Sequence, residues 1–373
     1  MDNTLQNNQI KNVMDFYMIA NSFKYISDDN KESIADHIYG SIILATALNQ
    51  EYMIVDNVGE VIRTILLSKM HKKDRKNLER ILNRIEYSKR NKLENEIQNY
   101  FFTGSKNGYL AYECVILENQ LSQFFNTYLV ENKIGSTDAD VLYYIAKTHG
   151  VFDRIGDSEK NRKVFKFYYL NRTLKEKIRS GWDEKHLNIN YDRIEKISEH
   201  VVGTIALAIA LDLELDFNIN LDEVISTLCI HEIGEIKIGD ITPFDDISPE
   251  VKRKIEHTAM KKIINNLSNW EELLEKLFDF DDQKTEESKF AYYCDKLEAD
   301  IQAKVYQDMG CHHPLTEQEN NVVFKSSRVQ QMVKDGAETA FDIWYHYDKE
   351  IYKDSPVFTK VLHYVKNNNI NIS

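Results

Sequence analysis

The sequence predicts an all-α chain, and three observations carry that expectation. Apolar residues recur at spacings of three and four along much of the chain, the period of one helix face. No run alternates convincingly with period two over six residues. With only 13 Gly and 4 Pro among 373 residues, the chain is poor in the turn formers that an all-β sandwich needs. At roughly 100–200 residues per domain, the length fits two domains or one large one. A balance of 42% hydrophobic to 29% charged residues is that of a globular protein rather than a disordered one.

Taken in order, the first strong element is Ile42, Ile43, Leu44, Ala45, Ala47 and Leu48, an Ala-containing apolar run that suits a buried helix better than a strand. Arg63 to Leu67, then Leu78, Ile81, Leu82 and Ile85, keep the helical spacing. Thr137 with Asp140 reads as a capping box opening a helix through Leu142, Tyr143, Tyr144 and Ile145, with Gly150 placed to close it. The polar stretch Gly156-Asp157-Ser158 to Lys163 is the expected domain boundary, dividing the chain into 1–155 and 156–373.

Several function classes are excluded early. No run of ~18 apolar residues exists to span a membrane, and Met1 to Asn12 lack the basic-then-apolar pattern of a signal peptide. Cys114, Cys229, Cys294 and Cys311 are scattered without a CxxC. Neither a disulfide scaffold nor a Cys-rich zinc site is expected, and the default compartment is a reducing cytoplasm. With 47 Lys+Arg against 60 Asp+Glu, the net charge of −13 disfavours a general nucleic-acid coat. Lys69 to Lys92 runs against that average, with ten basic and three acidic residues. It reads either as a solvated helix face or as a surface for an acidic or phosphate-rich partner.

An internal repeat organises the rest. Residues 37–48, HIYGSIILATAL, align without gaps to 200–211, HVVGTIALAIAL, at an offset of 163, with seven of twelve positions identical. In the same register Glu60, Val61, Ile62 and Thr64 match Glu223, Val224, Ile225 and Thr227. Phe16-Tyr17 matches Phe167-Tyr168 at a shorter offset, and AYECVILE (111–118) matches AYYCDKLE (291–298). Shared His, Gly, Tyr, Cys and Glu in one order are not explained by amphipathicity alone, so a helical unit is read as duplicated. The copies differ in their polar residues. His231-Glu232 replaces Ser68-Lys69, Asp295 replaces Val115, and Arg179-Ser180-Gly181-Trp182 lies in a loop the first copy largely lacks. The first copy keeps His37 without these companions and reads as a packing remnant.

His200, His231, Glu232 and Asp295 supply two imidazoles and two carboxylates, a donor set for one borderline divalent ion such as Mn, Fe, Co, Ni or Zn. A water on such an ion is acidified towards neutrality and becomes a hydroxide nucleophile. Glu235 and Asp240 are candidate catalytic carboxylates, Glu235 sharing a helix face with Glu232 if the helix persists. Arg179 is a candidate fork for a substrate phosphate, and Trp182 a candidate substrate-stacking face or a packing residue. His257, His312 and His313 have no assigned partners.

The strings ISEH (197–200), CIHEIGEIKIGDITP (229–243) and YYCDKLEADIQAKVY (292–306) resemble the HD-domain phosphohydrolases, closest to 5′-deoxynucleotidase-like small HD hydrolases. The resemblance covers about 165–350. It implies an all-helical fold and a single divalent cation held by His200, His231, Glu232 and Asp295. It also implies Glu235 and Asp240 as catalytic and Arg179 as a phosphate residue, the RSGW stretch being similar to an Arg-x-Gly-Trp stretch of that group. One departure is that the family's His-Asp pair is here His231-Glu232, which moves the carboxylate by about one bond length. The resulting expectation is two tandem HD-type helical units, the first degenerate, packed as an intrachain pseudo-dimer or assembling as a homodimer. The activity expected is cytoplasmic, metal-dependent hydrolysis of a small phosphate ester, a nucleotide first of all. A nucleotide-binding or interaction protein with a structural metal, and a phosphodiesterase on a cyclic or oligonucleotide, are the other readings that the residues leave open.

Overall fold

The computed structural model describes residues 7–370 except 28–31, 157, 184, 216, 312 and 319–320. Residues 1–6 of the N-terminal stretch, Asp157 of the expected boundary, and His312 therefore lie outside the described residues. Among these residues the chain is helical and no strand forms, only the isolated bridges Ser27–Ser33 and Ile178–Lys196. None of these helices is long and apolar enough to cross a membrane.

The helices are α1 (Asn7–Ser22), α2 (Ile34–Tyr52), α3 (Val58–Leu82), α4 (Tyr87–Phe102), α5 (Lys106–Gln123), α6 (Leu129–Glu131), α7 (Ala139–Thr148) and α8 (Ser158–Arg172). They are followed by α9 (Ile197–Glu214), α10 (Leu221–Leu228), α11 (Glu235–Ile238), α12 (Pro249–Ile264), α13 (Trp270–Asp282), α14 (Glu286–Asp308), α15 (Ser327–Lys334), α16 (Ala340–Asp348) and α17 (Pro356–Asn367). The two Ala-rich runs form α2 and α9, which are buried nearly all round and pack on one another at the centre. Each buried Ile or Leu there contributes about 1.5–3 kcal/mol. Around α2 lie α3, α5 and α8, and around α9 lie α10, α14 and α1. α3 crosses α10 so closely that a Cβ on Gly59 would fall 2.1 Å from the Asp222 carbonyl oxygen.

One local expectation changes. The N-cap of α7 is Asp138, whose carboxylate accepts from the N–H groups of Asp140 and Val141 at 2.9 and 3.2 Å. Thr137 is one residue too early to reach those donors, and its carbonyl accepts from the Tyr169 hydroxyl instead. Gly150 does close that region, at φ +77°. At the expected boundary, residues 158–163 form the first turns of α8, whose Val164, Phe165, Phe167 and Tyr168 are buried.

Candidate metal centre

The site is built where the two histidine-bearing segments meet α14. The Lys196 N–H donates to the Glu199 carboxylate at 2.9 Å, starting α9, and the next residue, His200, is fully buried in that first turn. Its Nδ1–H donates to Glu298 at 2.5 Å, and its Nε2 lies 2.9 Å from Asp295 Oδ1. Both acidic partners come from α14, on positions three apart and hence on one helix face. Burial and Arg179 disfavour the imidazolium, but Glu298 and Asp295 outweigh them and raise its pKa to about 9.

α10 ends at Leu228, and the chain turns through 229–234 before the short α11. That turn presents His231 and Glu232. At the aligned positions of the first half, α3 continues through Ser68 and Lys69 without a break. His231 donates Nδ1–H to the Leu228 carbonyl at 2.7 Å, leaving Nε2 as the lone-pair nitrogen. This Nε2 is buried and has no hydrogen-bond partner. It sits 3.6 Å from both Glu232 Oε1 and Asp295 Oδ1, and Glu232 Oε1 is 3.5 Å from His200 Nε2. All four donor atoms lie within 4.8 Å of one another. Bonds of about 2.0–2.2 Å from nitrogen and oxygen to a cation separate neighbouring donors by roughly 3–3.5 Å, close to these spacings. The orphaned imidazole nitrogen and the N2O2 donor set fit a divalent cation. It would take the place of the proton between His200 and Asp295.

The expected companions gather at the same place. Arg179 Nη1 donates to Glu232 Oε1 at 2.7 Å, and Arg179 Nε is 3.7 Å from Asp240 Oδ2. Asp240 Oδ2 also accepts the Ser180 N–H at 2.8 Å, which ties the loop after α11 to the RSGW segment. Lys177 donates to the Glu235 and Ile236 carbonyls and fixes α11 from the other side. Burial pushes the Glu232 carboxyl up, but His231 and Arg179 prevail and hold it at about 2. Glu235 behaves oppositely. Burial first, then Asp240 and Glu232, drive its carboxyl well above the ordinary range, and its buried Oε2 has no partner. Its environment thereby favours the protonated form, beside the carboxylates of Asp240 and Glu232. The face shared by Glu232 and Glu235 arises from a turn, since no continuous helix joins them.

Trp182 does not fill its expected place as a substrate-stacking residue. It is only 1% exposed, donates its indole N–H to Glu195 at 3.2 Å, and packs edge-on against Tyr306 and Trp344. An indole closed on both sides has no face to offer a base, so its role is packing. His257 pairs with Asp281 at 2.7 Å.

Three residues with a bearing on the site went unassigned from sequence. Lys296 bonds Asp295 Oδ2 at 2.9 Å, Glu298 holds His200, and Lys24, on the turn after α1, bonds Glu298 at 2.6 Å. Glu298 left one signal, its identity with Glu118 in the repeat, and Lys24 another, its identity with Lys175 in the register that matches Phe16-Tyr17 to Phe167-Tyr168. In the first half Glu32, His37 and Glu118 form a second donor cluster. The Lys175 ammonium lies in it, 2.5 Å from Glu118 and 3.2 Å from Glu32.

A family model described as an HD domain matches residues 172–335, a stretch that contains all four converging donors. The chain is 31% identical over 150 residues to 5′-deoxynucleotidase HDDC2 of Homo sapiens, covering 40% of this chain and 70% of that relative. It is 30% identical over 157 residues to the Mus musculus protein of the same name, covering 42% and 75%. To 5′-deoxynucleotidase hdd1 of Schizosaccharomyces pombe it is 29% identical over 157 residues, covering 40% and 76%.

Proposed function

The chain belongs to the HD-domain phosphohydrolase family, and from that premise we propose that it hydrolyses the phosphate monoester of a nucleotide, with a 5′-phosphate as the first candidate. The observation that carries the reading is the convergence of His200, His231, Glu232 and Asp295 beside Arg179 and the buried Glu235. These four residues hold the cation in this proposal. A bound divalent ion supplies Lewis acidity to the phosphoryl oxygens and acidifies a water molecule. Arg179 offers its planar guanidinium to the phosphoryl oxygens and offsets the charge that develops there. Asp240, fixed by the Ser180 N–H, orients Arg179 and accepts a proton from the attacking water. Glu235 carries the proton that the leaving nucleoside oxygen takes up.

The tandem arrangement is part of the same proposal: two copies of one helical unit packed about an internal two-fold. Several pairings support it. α1 lies on α9 as α8 lies on α2, and α2 meets α9. Gly59 meets Asp222, positions that the 163-residue offset makes equivalent. The hydrogen bond from Ile34 N–H to the Ile26 carbonyl is repeated from Ile197 N–H to the Lys177 carbonyl, both at 2.9 Å. A Cβ on Gly40 would fall 2.2 Å from Glu118, and one on Gly203 2.2 Å from Glu298. A cytoplasmic setting is supported by the four free, buried cysteines.

The test is turnover of the full chain with Mn(II), Co(II) or Ni(II) across nucleoside mono- and triphosphates. Phosphate release from monophosphates that is lost in His231→Ala and Asp240→Ala supports the reading. Metal retained without turnover across the panel refutes it and favours a nucleotide-binding or interaction protein with a structural metal.

A further inference from the structure

We propose that the N-terminal half is a working part of the metal centre: Lys24, acting through Glu298, is a positioning residue for His200. The inference rests on His200 being a ligand, as above. Lys24 is 2% exposed and lies 274 residues from Glu298 in sequence, yet its ammonium uses all three donors on the opposite half. They go to Glu195 at 2.5 Å, Glu298 at 2.6 Å and Gln302 at 3.0 Å. The same Glu298 Oε1 accepts the Tyr17 hydroxyl at 2.7 Å, and Asn21 braces that hydroxyl and Gln302. All these donors belong to α1 or the turn after it, the one element of the first half that packs along α9 as its main neighbour.

The physical argument is charge compensation. Glu298 has no solvent exposure, and an unpaired carboxylate there carries a desolvation penalty of several kcal/mol. Lys24 offsets that penalty and holds one oxygen of the carboxylate, which leaves its Oε2 turned to His200 Nδ1–H. An anionic acceptor on Nδ1 fixes the ring's tautomer and orientation, and makes Nε2 the more basic donor to a cation. Removing such an outer partner commonly lowers metal affinity by about 10–100-fold. The matched region begins at residue 172, so this support comes from outside the part of the chain that resembles the HD domain.

The repeat supplies an internal control. Lys175 is the counterpart of Lys24: it is buried to the same degree and bonds Glu118 and Glu32 beside His37. Truncating it should disturb folding as much as truncating Lys24, without touching a ligand of the proposed centre. The experiment is Co(II) titration of the full chain, followed by calorimetry and by the visible absorption of the bound ion. Measured beside wild type are Lys24→Met and Lys175→Met. The expected result is about a tenfold or greater loss of Co(II) affinity with an altered spectrum in Lys24→Met. Lys175→Met should bind as wild type does. Equal affinities in the two variants overturn the proposal and make Lys24 a structural ion pair only. If Lys24→Met does not fold, Tyr17→Phe reads the same link, because it removes one donor from the same oxygen with no change of charge. A loss of about threefold supports the proposal, and unchanged affinity overturns it. A wild-type chain that takes up no Co(II), Mn(II) or Ni(II) removes the ligand reading itself, and the inference with it. That failure is distinct from equal binding by the variants.

Discussion

Gly203 is the sharpest place to perturb the centre without touching a ligand. An ideal Cβ at that position falls 2.2 Å from Glu298 Oε1 and 2.8 Å from its Cδ. Ordinary contact is about 3.5 Å, so in Gly203→Ala the carboxylate must retreat by about 1.3 Å. Retreat is opposed by Lys24 at 2.6 Å, Tyr17 at 2.7 Å and His200 at 2.5 Å. Losing one hydrogen bond to a charged group costs about 1.5–3 kcal/mol, and overpacking a tight core costs a similar 1–3 kcal/mol. Alanine returns about 1 kcal/mol of helix propensity. The expected net loss is about 1.5–5 kcal/mol of unfolding free energy, measured by urea denaturation of the metal-free chain. Co(II) affinity should fall with it, because the partner of His200 has moved. Gly40→Ala, whose Cβ would fall 2.2 Å from Glu118, should lose comparable stability and keep wild-type Co(II) affinity. A Gly203→Ala protein as stable as wild type would refute the reasoning, as would equal loss of metal in both variants.

Other consequences follow from the same geometry. Glu235 has a raised folded-state pKa, so its protonated form stabilises the fold below the unfolded value, and that contribution is lost as pH rises through the folded one. Metal-free Glu235→Gln should therefore melt above wild type at pH 9, with the gap shrinking towards pH 5, while phosphate release is lost; a gap of opposite sign would count against the buried-acid account. Arg63, 1% exposed, bridges Glu96 at 2.7 Å and Asp222 across the α3–α10 crossing. Arg63→Met should cost about 3–5 kcal/mol in chemical denaturation, since two carboxylates lose their cation, and a cost below 1 kcal/mol would show the pair to be solvated. In the basic stretch, Arg75, Arg84 and Lys89 are already bonded internally, whereas Lys72, Lys73 and Lys76 are exposed. Reversing those three charges should weaken salt-dependent binding of a polyphosphate probe and leave Co(II) occupancy unchanged; unchanged probe binding marks the stretch as a solvated helix face.

Much of this was legible because it is local. The buried run at 42–48 and its partner at 200–211 announce helices by composition, and both are helical. Three of the four candidate donors stood out through their contrast with the first half, where Ser68, Lys69 and Val115 align with them, while His200 aligns with His37. The cap of α7 was misplaced by one residue because Thr137 and Asp138 are both able cap formers, and only backbone geometry chooses between them.

What the sequence by itself determined is the helical class and the order of the candidate donors, since periodicity and residue type act over a few positions. Only the tertiary structure decided that Trp182 is closed off from solvent, that the helix breaks at 229–234 to present His231 and Glu232, and that Lys24 stands behind Glu298. Each of these turns on desolvation. An indole, an imidazole or a carboxylate acquires its role from what excludes water around it and what neutralises it there, and for Glu298 that partner lies 274 residues away.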